Sequence, residues 1–137
     1  MQITRQADYA LRAMLYLARL GPNERAATKK IAEAQKIPPS FLAKIISQLS
    51  VAGLIKTTRG AHGGVVLSRP TKEISLLDVV EAIDGPIALN ECTVESGTCD
   101  MGGNCPLHEV WSETQIQLVE RLRKTTFDHY LSTQSGA

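Results

Sequence analysis

Three cysteines and one histidine stand close together in this chain: Cys92, Cys99, Cys105 and His108, separated by six, five and two residues. Thiolates are soft ligands that suit iron–sulfur clusters, zinc or copper. Links this short, with Gly97, Gly102 and Gly103 among them, let one loop wrap a single inorganic centre. His108 falls one turn into a helix that Pro106 would open, so its ring can supply a fourth donor. Rival chemistries stay open on spacing alone. Three cysteines and a histidine form a known structural zinc set, although the Cys-x-x-Cys knuckle usual for zinc is absent. Two of the thiols can instead pair reversibly as a redox switch. The cysteines can also be unliganded loop residues, and His108, beside Glu109, a plain surface side chain.

The compartment follows from the same residues. An odd count of three cysteines speaks against a disulfide framework. The first twenty residues are interrupted by Arg5, Asp8, Arg12 and Arg19, which a signal peptide would not tolerate. No apolar run reaches the roughly 18 residues of a membrane helix. The expectation is a cytoplasmic protein with no membrane partner. A length of 137 residues and 43% hydrophobic content fit one folded domain with an appended helix, not a disordered chain.

The net charge of +1 conceals a division. Residues 1–72 hold 12 Lys and Arg against 3 Asp and Glu, whereas residues 73–137 hold 3 against 11. A basic half of that size expects a polyanion as partner, or else is a solvated surface.

The elements that must position these groups can be read from periodicity. Residues 4–20 form an amphipathic helix with Tyr9, Leu11, Ala13, Met14, Leu15, Leu17 and Ala18 on its apolar side, ended by Gly21-Pro22-Asn23. Thr28 is expected to cap a short second helix, with Ile31, Ala32 and Ala34 on the buried side. After Ile37-Pro38, a third helix spans 39–51, with Phe41, Leu42, Ile45, Ile46 and Leu49 inward and Ser40, Ala43, Lys44, Ser47 and Gln48 outward. Gly53 is its left-handed cap. Short helix, tight turn and amphipathic helix make a helix-turn-helix, whose second helix can read the major groove. Residues 54–59 and 65–68 alternate as strands around a glycine-rich tip, which adds a wing. Arg59, Gly60, His62 and Gly63 lie at the tip, where arginine and close backbone approach suit a minor groove. The expected DNA contacts are Thr28, Lys29, Lys30, Pro39, Ser40, Lys44, Gln48, Lys56, Arg59, Gly60, His62 and Gly63. Ser75 and Asp78 spell a capping box for a fourth helix that Gly85-Pro86 stops. A last helix is expected over 106–131, with an apolar stripe of Leu107, Val110, Trp111, Thr114, Leu118, Val119 and Leu122. Such a stripe seeks a partner helix in a symmetric dimer, or packs back on the first helix, or both.

Taken together, Met1-Gln2-Ile3-Thr4-Arg5-Gln6-Ala7-Asp8-Tyr9-Ala10-Leu11-Arg12, the Arg59-Gly60-x-x-Gly63-Gly64 wing, Leu76-x-Asp78-Val79-Val80 and the three-cysteine loop resemble the Rrf2 family of winged-helix regulators, in particular its iron–sulfur members of the IscR, NsrR and RirA types. The resemblance covers about residues 1–131. It implies a mainly α fold with a small β-hairpin: a winged helix-turn-helix at 1–85, a cluster-binding loop at 86–105, a long C-terminal dimerisation helix at 106–131 and a flexible tail at 132–137. It also implies a homodimer on a palindromic operator in double-stranded DNA, with a cluster that alters DNA affinity in response to nitric oxide, redox or iron status. By position, Cys92, Cys99 and Cys105 would be the thiolate ligands. His108 matches the Cys-x-x-His of the IscR type, which favours a 2Fe–2S cluster. Asp8 matches the NsrR type, in which an aspartate from the other subunit completes a 4Fe–4S cluster. Read without the family, Asp8 is a surface carboxylate on the first helix.

The chain departs from the family pattern at three points. The first gap between cysteines is six residues, where these types have five. Ala43 stands where the IscR type has a glutamate, and His62 replaces a wing glycine. A zinc- or thiol-switched regulator of the same fold is the near alternative, and an iron–sulfur carrier or electron-transfer protein the distant one. A carrier has no need of the basic half. An enzyme with a small-molecule substrate is not expected, because no nucleophile–base pair, phosphate loop or paired carboxylates can be pointed to.

Overall fold

The computed structural model describes residues 2–61, 63–90, 93 and 105–131. Helix α1 (Arg5–Leu20) leads into α2 (Thr28–Gln35) and α3 (Pro39–Val51). Strands β1 (Ile55–Thr58) and β2 (Gly64–Leu67) follow, then α4 (Leu76–Asp84) and α5 (Leu107–Lys124). Two 3₁₀ turns, Thr71–Glu73 and Phe127–Tyr130, complete the described elements. The mainly helical fold with one hairpin is as the sequence leads one to expect.

Helix α1 starts where Thr4 accepts a hydrogen bond from the Ala7 amide at 3.1 Å. One face of it is buried: Ala7, Tyr9, Ala10, Ala13, Met14, Leu17 and Ala18. Leu11 and Leu15, expected on that face, are half-buried and pack at its edge. The small side chains of the face let α2, α3 and α4 lie close against it. Thr28 does not cap α2. Ala27 occupies the cap position, without a side-chain hydrogen bond, and Thr28 is the first helical residue. The cause lies outside the local sequence. Ala26 and Val65 exchange backbone hydrogen bonds of 3.0 and 2.8 Å, which keeps the chain extended up to Ala26. Ala34 is exposed, so the buried face of α2 is Ile31 and Ala32 alone.

Helix α3 has the expected bounds, with proline in its first turn and Gly53 at φ 79° just beyond its end. Leu42, Ile45, Ile46 and Leu49 are buried. Phe41, expected to join them, is 42% exposed and meets the Tyr9 ring edge-on. The hairpin is antiparallel, with Ile55 opposite Leu67 and Thr58 opposite Gly64. Each strand differs slightly from the range read in the sequence, β1 covering 55–58 and β2 64–67; Leu54, just before β1, is buried and its carbonyl accepts from the Ser68 amide at 3.1 Å. Gly64 sits at φ 153°, and a Cβ there would lie 2.8 Å from the Ala26 carbonyl oxygen. The bridge between wing and α2 therefore requires glycine.

Helix α4 opens with the capping box. Asp78 N–H donates to Ser75 Oγ at 3.1 Å, and Ser75 N–H donates to Asp78 Oδ2 at 3.0 Å. Helix α5 is shorter than expected. It ends at Lys124 instead of running to 131, and Thr125 is extended. The chain leaves the helix to pair with the residues before α4: Leu76 N–H donates to Thr125 O at 2.9 Å, and Phe127 N–H to Ile74 O at 3.1 Å. This brings Phe127, 2% exposed, into the main core. The apolar stripe of α5 also divides. Leu118, Val119 and Leu122 pack with Leu11 on a small cluster of Leu77, Val80 and Ile87, so the helix rests chiefly on α4. Leu107, Val110 and Trp111 are exposed, as is Thr114. Among the described residues, no helix is long and apolar enough to cross a membrane.

Two substitutions test this arrangement. Phe127→Ala removes a fully packed ring and should cost about 3–5 kcal/mol in urea unfolding, the usual range for buried aromatics. Gly64→Ala forces a methyl onto the Ala26 backbone. It should cost about 1–3 kcal/mol, in the range of overpacked sites. An unchanged midpoint for either would contradict the packing described.

Candidate functional site

The basic half of the chain presents three elements on one side. Thr28, Lys29 and Lys30 form the exposed, uncapped first turn of α2. Backbone N–H groups at such an end, with two ammonium groups beside them, favour an anion. Pro39, Ser40 and Lys44 are exposed along α3. Lys56, Arg59 and Gly60 are exposed on the wing, and Gly63 is half-buried. His62 lies outside the described residues. Among the described residues Lys29, Lys30, Lys44, Lys56 and Arg59 take no part in the ion pairs Asp8–Arg12, Glu120–Arg123 and Asp128–His129.

Two clefts connect these elements. One of about 250 Å³ is lined by Thr28 of α2 together with Thr57, Thr58, Gly60 and Gly63 of the wing. The other, of about 520 Å³, runs between α2 and α3, with Thr28, Lys29, Pro39 and Ala43 around Leu42 and Ile46. Thr28 lines both, so the structure joins α2 to the wing on one side and to α3 on the other. Gln48 fits the set less well. It is half-buried, and its Oε1 is buried without a partner. Ala43 and Glu33, which line the larger cleft, are absent from the expected contacts. Glu33 follows Lys29 by one helical turn, and that spacing was the available signal.

The cysteine loop begins at a turn in which Thr93 donates through its amide to Asn90 O at 3.1 Å and through its hydroxyl to the same oxygen at 2.6 Å. Cys92 and Cys99 lie outside the described residues. Cys105 is a half-buried free thiol. One turn on, the His108 amide donates to Cys105 O at 3.1 Å, which fixes the two residues at the start of α5. The His108 ring is half-buried. Its Nε2 is 3.3 Å from Ser112 Oγ, and its Nδ1 is buried with no hydrogen-bond partner. Gln115, further along the helix, accepts from the Leu89 amide at 2.9 Å and so ties the loop entry to α5.

Asp8 stands apart on α1. Its carboxylate is 2.8 Å from the Arg12 guanidinium, and both side chains are about half exposed, at 49% and 45%. Arg12 lies over the Tyr9 ring at 5.5 Å, and Tyr9 meets Phe41 of α3 edge-on at 6.0 Å. Among the described residues no three potential metal donors cluster within the chain.

Comparison with known proteins gives the family. Residues 3–133 match the Rrf2 family, described as an iron-dependent transcriptional regulator. Protein aau3 of Rhizobium meliloti is 41% identical over 130 residues, covering 93% of this chain and 83% of that protein. The HTH-type transcriptional regulator NsrR of Shouchella clausii is 32% identical over 127 residues, covering 92% of this chain and 85% of the relative. Among solved structures, CymR, the global cysteine regulator of B. subtilis, superposes with a TM-score of 0.81 at 27% identity, covering 96% of this chain and 97% of that one. IscR of T. potens does so with a TM-score of 0.76 at 26% identity, covering 98% and 88%. By the extent of the family match and the identity to these regulators, the chain belongs to the Rrf2 family of transcriptional regulators, which are not enzymes.

Proposed function

We propose that this regulator is a cytoplasmic homodimer that binds a palindromic operator and whose DNA affinity is set by an iron–sulfur cluster on Cys92, Cys99, Cys105 and His108. The observation that carries the cluster is His108 Nδ1, a buried ring nitrogen without a partner one turn after a free thiol. A buried, unsatisfied polar atom in a native fold calls for an explanation, and a metal bond would provide one. The donor set of three thiolates and an imidazole fits such a cluster, and the family description is iron-dependent. When bound, the cluster supplies a centre that redox change, nitric oxide or iron shortage can alter. The chain's own part is to tie the entry of the loop to α5, through the Leu89 amide donating to Gln115. His108 is preferred over Asp8 as fourth ligand because the Asp8 carboxylate is already paired with Arg12. That choice favours 2Fe–2S over 4Fe–4S.

The dimer rests on α5. Leu107, Val110 and Trp111 leave an apolar surface uncovered on one side of the helix in the single chain. A second copy of the helix would bury it. Each protomer then offers α2, α3 and its wing to one half-site, with Thr28, Lys29, Lys30, Pro39, Ser40, Lys44, Lys56, Arg59, Gly60 and Gly63 as contacts. Gln48 is a weaker member of the set. His62 stays in it on the sequence reading alone.

A second reading has a specific observation in its favour. The likeness to CymR of B. subtilis, a cysteine regulator, and to CymR of Staphylococcus aureus, whose oxidized form has been solved, together with the free thiol of Cys105, favours thiol oxidation as the switch. A zinc site on the same ligands is the third.

Metal analysis separates these. Protein purified without oxygen should carry iron and sulfide in 2Fe–2S proportion for each subunit of a dimer. Zinc, or intact thiols without metal after iron and sulfide are supplied, would exclude the cluster and leave DNA binding untouched. The DNA contacts predict a steep salt dependence. Lys29→Ala should lower the slope of log affinity against log salt by about two per dimer, one phosphate contact per protomer. An unchanged slope would remove Lys29 from the interface.

A further inference from the structure

We infer that Ser112 is a positioning residue that fixes the His108 ring in the tautomer whose metal donor is Nδ1. The inference rests on the cluster reading above and adds which ring nitrogen binds and what holds it ready.

Ser112 lies one helical turn beyond His108, and its Oγ is 3.3 Å from His108 Nε2. Hydroxyl side chains on α5 and at its C-terminal cap have another use for their proton. Thr114 donates to Val110 O at 2.8 Å, and Thr125 donates to Arg121 O at 2.7 Å, each four residues back. Ser112 is placed against the ring of the residue four back.

A neutral imidazole carries one N–H and one lone pair. If Ser112 donates to Nε2, the proton sits on Nδ1, which is buried and finds no acceptor. If Nε2–H donates to Ser112 Oγ, the lone pair sits on Nδ1. Either way a buried nitrogen is left unsatisfied in the metal-free chain. Only the second arrangement lets a metal relieve it, and metal-bound histidines generally hold their other N–H on an acceptor. The half-buried surroundings of the pair exclude part of the water that would otherwise serve either nitrogen. Gln115, on the same side of α5, ties Leu89 and with it the loop entry to that side. His108, Ser112 and Gln115 thus form one polar stripe, with the thiol of Cys105 just before it.

The test uses the full chain with its cluster assembled anaerobically, then reduced for pulsed EPR. Histidine labelled with nitrogen-15 at δ1 alone should show strong coupling to the cluster spin, and histidine labelled at ε2 alone only weak coupling. Ser112→Ala should speed cluster loss to a chelator roughly 10- to 100-fold, the usual effect of removing such a partner, with circular dichroism unchanged. Ser112→Thr, which keeps the hydroxyl, should restore retention. Strong coupling from the ε2 label, or a cluster with no histidine coupling and unaltered retention in Ser112→Ala, would overturn the inference while leaving the cluster in place. Absence of any iron–sulfur chromophore would overturn both.

Discussion

Burial of one face of α1 is the constraint on which the rest of the molecule depends. Ala7, Ala10 and Ala13 are fully buried there, with Met14 and Leu17 almost so. Alanine side chains keep the surface low, so α2, α3 and α4 and strand β2 can all approach the same helix. A larger residue at any of these positions would separate helices whose mutual placement matters. α3 is held at a fixed angle to α1, and the wing is tied back through Ala26 and Val65. The C-terminal turn closes the same core with Phe127. Helices α2 and α3 and the wing are therefore parts of one packed body.

The acidic half is built differently. α5 has no buried residue of its own and touches the body through half-buried Leu118, Val119 and Leu122. Its first turns carry His108 and follow Cys105, and among the described residues their hydrogen bonds beyond the helix ladder include His108 N–H to Cys105 O and His108 Nε2 with Ser112 Oγ. A helix with little buried surface sits at the low-stability end of a structure. That is where a small change in ligation can shift a population without unfolding the core. On the function proposed above, the division of charge between the halves would match a division of labour, with the basic half meeting the polyanion and the acidic half carrying the sensed centre.

Much of this was legible in the sequence, because its signals are local. The bounds of α3 follow from prolines and apolar spacing, and the Ser75–Asp78 box marks the start of α4. The spacing of Cys92, Cys99, Cys105 and His108 suggests a ligand set, of which Cys92 and Cys99 lie outside the described residues. Features set by distant contacts were not legible. Thr28 lost the cap position to Ala27 because a bridge from the wing holds Ala26 extended. α5 stops at Lys124 because the strand-like pairing of Thr125 and Thr126 carries Phe127 into the core. Phe41 looked buried by periodicity but lies at the rim, against Tyr9. Ser112 escaped notice because a serine one turn after a histidine is common. Only the orphaned Nδ1 gives it meaning.

The measurement that tests the central claim most directly is the affinity of one selected genomic fragment for two forms of the same preparation, cluster-loaded and cluster-depleted, by fluorescence anisotropy without oxygen. The account predicts two clearly different dissociation constants, with the difference abolished in Cys105→Ala. Equal affinities for loaded and depleted dimer would show a DNA-binding protein whose cysteine loop does not control it.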